Sequence, residues 1–427
     1  MLTNSQAGYT GDPPLTNDEL TAVLGGWEGY RVASLRRLEV DLELSEVHPV
    51  IEIELEPLAD RLKRCSGCLQ EVGQVHEVTI RRIRDLDMLD ARTILIVPRC
   101  RLNCPRCGPK LEQLDWLARY ARVTRRLAQN VVRLCAVLPI KHVADYLGLG
   151  WDTVKRIDQD HLEETLGPVD LGGVESIVMD EFAIQKGHRY ATVVLDSTSR
   201  RVLWVCRGRC RKDIRPFFEK LGVEGRRRLR AVAIDMNSAY EEETRYQCPL
   251  AEIVYDLFHV VAKYGREVID RVRVDEANRL RHDKPARKVV KGARWLLLRN
   301  RENIVKREDR VRLNELLSAN KRLTTVYVLK DDLKHLWHYR YEGAALRFWK
   351  QWYDRAIRSR IDPLKRFARN LKERIRGILA HCHWPLHTSL LEGINNRIKV
   401  IKRMAYGFRD DAYFFLKIRA AFPGNPG

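Results

Sequence analysis

Two pairs of cysteines constrain the N-terminal part of this chain more than any other feature. Cys65 and Cys68 are separated by two residues, and so are Cys104 and Cys107. This spacing lets the two thiolates of a pair bind one tetrahedral zinc ion without backbone strain, and two pairs complete a four-sulfur site. In a reducing compartment thiolate–metal bonds are favoured over disulfides. The pairs therefore predict one structural Zn²⁺, with reduced buried cysteines as the alternative.

The sequence around these pairs predicts a small β module. Apolar residues alternate with charged ones from Leu38 to Leu44 and from Ile51 to Leu55, and segments 75–86 and 92–99 show further strand patterns. The stretch between the pairs is longer than the usual zinc-finger interval, but the strands within it would bring the pairs together. Cys100 and His76 are reserve ligands, whereas Cys206 and Cys210 are expected to be core or incidental residues.

The net charge indicates the class of partner. The 427 residues include 77 Lys and Arg against 57 Asp and Glu, which gives a formal net charge of +20, while 45% of the chain is hydrophobic. Enough apolar residues are present for packed cores, so a disordered polyelectrolyte is excluded. No apolar run reaches membrane-spanning length, and the N-terminus lacks the pattern of a secretory signal. A cytoplasmic protein with a nucleic-acid partner is therefore expected.

Beyond Pro109 the apolar period changes from two to three or four, which predicts a long basic helix containing Leu114 to Val131. Segment 138–164 then predicts a helix-turn-helix, with Gly148 and Gly150 around the turn. Many helix pairs joined by a glycine turn bind nothing, so a purely structural pair is the alternative. If the motif binds DNA, the basic helix would contact phosphates and the second helix would enter a major groove, through Arg122, Arg125, Arg126, Trp151, Thr153, Lys155 and Arg156.

From Val174 the pattern predicts the order β-β-β-α-β-α-β-α. Asp180 is expected to end the first strand, Asp235 to end the fourth, and Glu392 to open a late helix. Carboxylates gathered at one sheet edge can hold two divalent cations about 4 Å apart, the arrangement used for phosphoryl transfer, and oxygen ligands favour Mg²⁺ or Mn²⁺. Taken singly, each Asp is more often a cap or a solvated turn residue.

Two helical regions follow. From about 275 to 384 the chain is helical, basic and rich in tryptophan, which predicts a core stabilised by burial of Trp295, Trp337, Trp349 and Trp352. One of these indoles could instead stack on a flipped base. In the late helix, polar and basic residues share the face of Glu392 at spacings of three and four, either as phosphate-directed donors or as an ordinary solvated face: Asn395, Asn396, Lys399, Lys402 and Arg403.

Four strings carry a family resemblance: MDEFAIQKGHRYATVVLD, AIDMNSAY, YDLFHVVAKYG and LEGINNRIKVIKRMAYGFRD. They resemble bacterial insertion-sequence transposases of the ISL3 type, of the Asp-Asp-Glu, ribonuclease-H-like class, over nearly the whole chain. The resemblance implies that Asp180, Asp235 and Glu392 form a triad that binds two Mg²⁺ or Mn²⁺ ions. Asp256 and His259 match a motif near the active site, and would support it or bind the scissile strand.

The resemblance leaves alternatives open at some positions. Glu181 competes with Asp180 for the first place in the triad. Lys186 and His188 would face DNA, or would simply belong to an exposed turn.

The predicted fold class is multi-domain α/β. The expected parts are a loose leader (1–18), a zinc-binding β module (19–110), a helical DNA-binding region with the helix-turn-helix (111–170), a ribonuclease-H-like mixed sheet (171–274), a large all-helical insertion (275–384) and a final part with the Glu helix (385–427).

The leading hypothesis is a transposase that binds the terminal inverted repeats of its own element on double-stranded DNA, and that cleaves and joins DNA. A sequence-specific regulator or inactive derivative, and a nuclease without strand transfer, are the alternatives. Because two ends must be held and one chain has one triad, a homodimer or higher oligomer is expected, associated with the bacterial nucleoid when bound to DNA.

Overall fold

The structure is a computed structural model that describes residues 16–40, 48–185, 187, 189–386 and 389–424. Lys186 and His188 lie outside the described residues, as does the 41–44 part of the predicted first strand. The backbone of Glu392 is described, but its side chain is not. The chain divides into two compact units, Met1–His161 and Leu162–Gly427. Among the described helices, none is both long and apolar enough to cross a membrane.

A six-stranded sheet forms most of the first unit. Its strands are β1 Tyr30–Val40, β2 His48–Pro57, β3 Arg64–Cys65, β4 Val75–Arg84, β5 Arg92–Cys104 and β6 Gly108–Gln113. They run in the order β1-β2-β5-β6-β3, and β4 pairs with β5. Side chains along β5 alternate between buried and half-buried over most of its length because successive residues point to opposite faces of a sheet. The predicted β module is confirmed, although β1 begins earlier than predicted and the short strands β3 and β6 were not predicted.

The helices of the first unit are α1 Asn17–Leu24, α2 Arg125–Cys135, α3 Ile140–Leu147 and α4 Trp151–Leu166, which runs past the boundary between units. Leu127, Leu147 and Val154 join α2, α3 and α4 in one apolar core. Gly148 ends α3 at a φ of 61°, in the left-handed region that glycine adopts without strain. The helix–turn–helix arrangement predicted for this segment is confirmed.

The long basic helix predicted beyond Pro109 is wrong in its first half. Leu114 and Leu117 form a β-bridge with each other and pack in the core of the six-stranded sheet. Tyr120 has a φ of 59°, which a helix does not accommodate. Helix α2 begins only at Arg125, where the Thr124 hydroxyl accepts a hydrogen bond from the Leu127 amide. A tight turn that folds two apolar side chains onto a sheet produces the same spacing of three as a helix.

The second unit contains a five-stranded mixed sheet. Its strands are β7 Ser176–Gln185, β8 Arg189–Asp196, β9 Val202–Arg207, β10 Ala231–Ile234 and β11 Glu252–Tyr255. Their order is β11-β10-β7-β8-β9. Strands β7, β8 and β9 are antiparallel, whereas β10 runs parallel to both β7 and β11. The predicted mixed sheet is confirmed, but Asp180 lies in the middle of β7 and not at its end.

Helices cover both faces of this sheet. They are α5 Arg211–Arg228, α6 Ser238–Gln247, α7 Leu257–Tyr264, α8 Asp270–Arg279, α9 Lys284–Gly292, α10 Arg294–Leu298, α11 Arg307–Ala319, α12 Lys321–His335, α13 Glu342–Arg358, α14 Asp362–Lys372, α15 Ile375–Leu379, α16 Ser389–Met404 and α17 Asp411–Ala421. A π-helical turn, Gly265–Ile269, joins α7 to α8, and single 3₁₀ turns occur at Arg301–Asn303, Leu336–His338 and Ala380–Cys382.

The two faces have separate cores. Helices α5 to α15 share one apolar core with Ile177, Met179 and Ile234 of the sheet. On the other face, Val178 and Phe182 pack against α16 and α17. Trp349 and Trp352 are buried and stacked in the first of these cores, while Trp295 is 67% exposed. Most of the tryptophan-rich region is therefore structural core, as expected.

Candidate active site and zinc centre

Three aspartates fall in one row across the parallel strands of the second unit. Ala233 of β10 pairs with Val178 of β7, so two residues further along the same register Asp235 lies beside Asp180. Ile234 pairs with Tyr255 of β11, so the next residues, Asp235 and Asp256, are also neighbours. Carboxyl ends of parallel strands meet at one edge of a sheet, where α/β proteins commonly bind ligands. We call Asp180, Asp235 and Asp256 the acid row.

The acid row belongs to the sheet face covered by α16 and α17. Side chains alternate between faces along a strand, and Val178, Ala233 and Val254, two residues before the respective aspartates, all belong to the core on that face. Ile394 and Ile398 of α16 pack in the same core. The helix that contains Glu392 therefore covers the face to which the acid row belongs.

One hydrogen bond joins this helix directly to the acid row. Asn395 donates from Nδ2 to Oδ2 of Asp180 over 2.6 Å. The other amide atom of Asn395, Oδ1, is buried without a hydrogen-bond donor among the described residues. The sequence predicts that Asn395 contacts DNA, but in the structure its amide nitrogen is hydrogen-bonded to a carboxylate of the protein.

His259, in the first turn of α7, lies between two members of the acid row. Its Nε2 is 4.0 Å from Oδ1 of Asp180 and 3.6 Å from Oδ2 of Asp256. Asp256 also caps α7, because its Oδ1 accepts a hydrogen bond from the amide of Phe258 over 2.9 Å. Phe258 itself is 64% exposed, an unusual position for a large apolar ring, and nothing in its sequence spacing singled it out.

Burial raises the pKa values of two members of the acid row. Desolvation raises the pKa of Asp180 to about 6, even though His259 and the hydrogen bond from Asn395 favour the charged form. Burial raises the pKa of Asp235 as well, against a hydrogen bond from the Asn237 amide. The buried Asp180 and the adjacent, half-buried Asp235, both with raised pKa values, form a site that a cation would stabilise.

Glu181, the competitor of Asp180, points to the opposite face of β7, since adjacent strand residues alternate. Its carboxylate pairs with Arg209, with 2.9 Å between Oε1 and Nη1. Glu181 is thus paired with a cationic side chain, whereas Asp180 has no Lys or Arg partner among the residues that the structure describes.

The basic residues of α16 divide into two groups. Lys402 donates from Nζ to the carbonyl oxygen of Ala183 over 3.0 Å, and so holds the helix against β7. Asn396, Lys399 and Arg403 are exposed. Of the α16 residues predicted to face DNA, these three are the ones whose side chains remain at the surface.

In the first unit, the four predicted zinc ligands form one cluster. The four Sγ atoms of Cys65, Cys68, Cys104 and Cys107 all lie within 4.8 Å of one another. A tetrahedral zinc ion with bonds of about 2.3 Å requires sulfurs about 3.8 Å apart, and the Cys68 and Cys104 sulfurs are 3.6 Å apart. The donor set therefore fits Zn²⁺. The reserve ligands Cys100 and His76 are not part of the cluster.

A buried charge pair joins the six-stranded sheet to the helix-turn-helix. Asp85, which is fully buried, binds the guanidinium of Arg126 through both carboxylate oxygens, and it also accepts hydrogen bonds from Trp27 and Thr124. Burial opposes ionisation of Asp85, but these bonds lower its pKa overall. Arg126 was predicted to contact phosphate; its side chain is instead committed within the protein.

The other residues predicted to contact DNA remain accessible in varying degree. Arg122, Arg125, Trp151 and Arg156 are exposed, while Thr153 and Lys155 are half-buried. Trp151 and Arg156 lie on the second helix of the helix-turn-helix, and Lys155 lies over the Trp151 ring. This surface combines positive charge with an exposed indole, a composition suited to a nucleic-acid partner.

Comparison with known proteins agrees with each of these regions. Residues 177–418 match a protein family described as transposase, residues 112–162 match the helix-turn-helix domain of transposase family ISL3, and residues 61–107 match the zinc finger of the IS204/IS1001/IS1096/IS1165 transposases. The last match and the four-cysteine cluster together identify a structural zinc ribbon, as predicted.

Full-length relatives give the same answer. The chain is 53% identical to the transposase for insertion sequence element IS1001 of Bordetella parapertussis over 408 residues, which is 95% of this chain and 98% of that protein. It is 27% identical over 379 residues to the transposase for element IS1557 of Mycobacterium tuberculosis, covering 83% and 84% of the two chains. The chain therefore belongs to the ISL3 family of insertion-sequence transposases.

Proposed function

We propose that this transposase cleaves DNA at the terminal inverted repeats of its own element, and joins the freed ends to target DNA, with a two-metal site formed by Asp180, Asp235 and Glu392. The observation that carries the proposal is the hydrogen bond from Asn395 to Asp180. It links the helix of Glu392 to the acid row, and Glu392 precedes Asn395 by three residues, less than one helical turn. Residues three apart share a helix face.

The donor chemistry supports Mg²⁺ or Mn²⁺ as the cofactor. All three proposed ligands are carboxylates, and hard divalent cations prefer oxygen. Two such ions, when bound, supply an activated nucleophile and stabilise the leaving oxygen of an in-line displacement at phosphorus. The raised pKa values of Asp180 and Asp235 support the same assignment, because no side chain among the described residues fully compensates their charge.

Neighbouring residues would hold the ligands in place. Asn395 fixes one oxygen of Asp180, so the other oxygen and the Asp235 carboxylate define where cations bind. Asp256 caps α7 and keeps His259 beside Asp180, which supports a positioning role for Asp256. His259 is half exposed and can donate to a phosphate of the scissile strand. The pairing of Glu181 with Arg209 supports Asp180, and not Glu181, as the first acid of the triad.

Recognition of the ends would fall to the first unit. Arg122 and Arg125 are exposed at the start of α2 and would contact phosphates, while Trp151, Thr153, Lys155 and Arg156 at the start of α4 would reach base edges in a major groove. Asn396, Lys399 and Arg403 would contact the strand near the acid row.

A plasmid assay tests the triad. Supercoiled plasmid that carries the element's ends is incubated with the protein and Mg²⁺, and cleavage is followed for the parent and for Asp180→Asn, Asp235→Asn and Glu392→Gln. Each substitution should lower the cleavage rate by at least about 10³-fold, since it removes several kcal/mol of transition-state stabilisation. Binding to end DNA, measured by gel shift, should be kept by all three variants.

Glu181→Gln is the matched control, because it removes a neighbouring carboxylate from the opposite face of the same strand; we expect less than about a tenfold loss of rate. Equal loss in Glu181→Gln, or cleavage without added Mg²⁺ or Mn²⁺, would contradict the triad. A strand-transfer assay then distinguishes a transposase from a nuclease. The protein is given pre-cleaved element ends with free 3′-hydroxyls and a target plasmid, and only a transposase joins the ends to the plasmid. Binding without any cleavage would favour a regulator.

A further inference from the structure

Strand β4 has an edge that the described part of the chain leaves largely unpaired. One side of β4 pairs with β5 from Val75 to Arg84. On its other side, Arg84 exchanges backbone hydrogen bonds with Arg122 and Thr124. Backbone groups alternate between the two edges of a regular strand, and the β4–β5 ladder is regular from Glu77 to Arg84, beyond a bulge at His76. Val78, Ile80 and Arg82 therefore direct their backbone groups to the same outer edge as Arg84. For these three residues, the structure gives no backbone partner on that edge within the described ranges.

Apolar side chains border this edge. Val78 is 56% exposed and Ile80 is 64% exposed. Native proteins usually protect long edge strands with charges, prolines or bulges because an exposed apolar edge pairs readily with another strand. An edge that keeps two large exposed aliphatic residues at its centre is therefore suited to a strand partner.

The sequence of the edge is complementary to itself. When two copies of β4 are placed antiparallel about a two-fold axis at Thr79, Val78 lies opposite Ile80 of the partner subunit, and Glu77 lies opposite Arg81 of the partner subunit. Within its own chain the Glu77 carboxylate also pairs with Arg101, with 3.4 Å between Oε1 and Nη1, and both side chains are exposed, so a second cation opposite Glu77 would join an existing surface pair. Val78 and Ile80 then meet as hydrogen-bonded pairs, in agreement with the direction of their backbone groups. Sliding the pairing by two residues either way loses the charge pair and leaves one aliphatic pair, Ile80 with Ile80 or Val78 with Val78, in place of two.

We infer that a second copy of this chain pairs with the outer edge of β4, so that the transposase dimerises through its zinc-ribbon sheet. Arg81 and Arg82 are also exposed on β4, but the two exposed aliphatic side chains at the centre of the edge favour a strand over a phosphate backbone. Paired strand edges alone form a small interface, so dimerisation should depend on protein concentration and should strengthen on end DNA. The inference does not depend on the proposed metal site.

Crosslinking tests the register directly. At Thr79 the two chains would face each other in a non-hydrogen-bonded pair, with Cα atoms about 4.5 Å apart, within the range of about 4.4–6.8 Å that a disulfide spans. Thr79→Cys should therefore give a disulfide-linked dimer on mild oxidation of the zinc-loaded full-length protein. Glu77→Cys is the matched control: the two copies of position 77 would be four residues out of register, and crosslinking should not exceed the background of the parent.

Charge reversal tests the same interface in solution. In analytical ultracentrifugation across a wide concentration range, the parent should dimerise, Glu77→Arg should shift the dissociation constant upward at least tenfold, and Glu77→Arg with Arg81→Glu should restore it. Val78→Lys with Ile80→Lys should be monomeric while keeping zinc content and melting temperature, because both residues are exposed in the monomer. A parent that stays monomeric with and without end DNA, or a dimer unaffected by these changes, would overturn the inference. Loss of cleavage in the acid variants has no bearing on it.

Discussion

The first unit and the acid row of the second unit treat negative charge in opposite ways. In the first unit, Asp85 is paired with Arg126, Glu112 lies 2.7 Å from Arg61, and the cysteine cluster supplies all four ligands of a zinc ion. In the acid row, the buried Asp180 lies beside the half-buried Asp235, and the pKa values of both carboxyls are raised. In the first arrangement, protein cations or a structural zinc ion balance the negative charge. In the second, a bound cation would be needed to balance it. Whether the negative charge is balanced within the protein therefore distinguishes the region that maintains the fold from the region that we propose performs the chemistry.

Removal of zinc should have the largest effect. Structural zinc contributes apparent binding energies of about 10–16 kcal/mol in zinc-finger peptides, and that energy is also folding energy. Cys104→Ser should therefore lose the single zinc of the chain, measured by metal analysis, and unfold the region around β3 and β6, measured by hydrogen exchange. Exchange in the second unit should stay unchanged. Cys100→Ser, in the same module but outside the cluster, should keep one zinc; zinc-free parent protein would contradict the assignment.

Arg126→Ala should have the next largest effect. It leaves the fully buried Asp85 carboxylate without its cation, and breaking a buried ion pair in this way costs about 3–5 kcal/mol. The free energy of unfolding of the first unit, from denaturant titration, should fall accordingly. Arg125→Ala is the matched control on the adjacent, exposed residue: it should leave stability unchanged but weaken DNA binding and lower the slope of log affinity against log salt by about one. If both variants lost only DNA affinity, Arg126 would be a phosphate contact after all.

Asp180→Asn should have a smaller effect of opposite sign. Because the pKa of Asp180 is raised from 3.8 to about 6 in the folded state, the metal-free protein loses stability as pH rises through that interval. At 1.36 kcal/mol per pKa unit the loss is at most about 3 kcal/mol. The asparagine variant should melt higher than the parent above about pH 6 and match it more closely near pH 4. Mg²⁺ should raise the melting temperature of the parent and reduce this difference. A variant less stable than the parent at pH 7 would contradict the view of Asp180 as an uncompensated charge.

Sequence patterns predicted the features that depend on local spacing. The cysteine pairs indicated one zinc site because a two-residue gap lets both thiolates of a pair bind the same ion. The string AVAI before Asp235 indicated a buried strand that is followed by a carboxylate. The order of strands and helices in the second unit followed from the same alternation. The triad assignment came from family resemblance, and it remains a proposal.

What the sequence missed depends on contacts between distant segments. Leu114 and Leu117 are three residues apart, as on one face of a helix. In the structure they pack on the six-stranded sheet, and nothing in the local sequence indicates that contact. Arg126 looks like Arg125 until Asp85, far away in the chain, is placed beside it. Asn395 similarly looked like one more polar residue on a basic helix, and only the packing of α16 on β7 brings its amide to Asp180.

Helices α8 to α15 leave the sheet after β11 and return to it before α16, and they pack on the face opposite the acid row. The distance between the aspartates and the helix of Glu392 is set by Ile394, Ile398 and the sheet, and not by the long excursion between them. Helices α8 to α15 thus form an insertion whose two ends are held at the sheet. Insertions and deletions in the excursion that keep this face of the sheet covered should therefore leave the geometry of the acids unchanged.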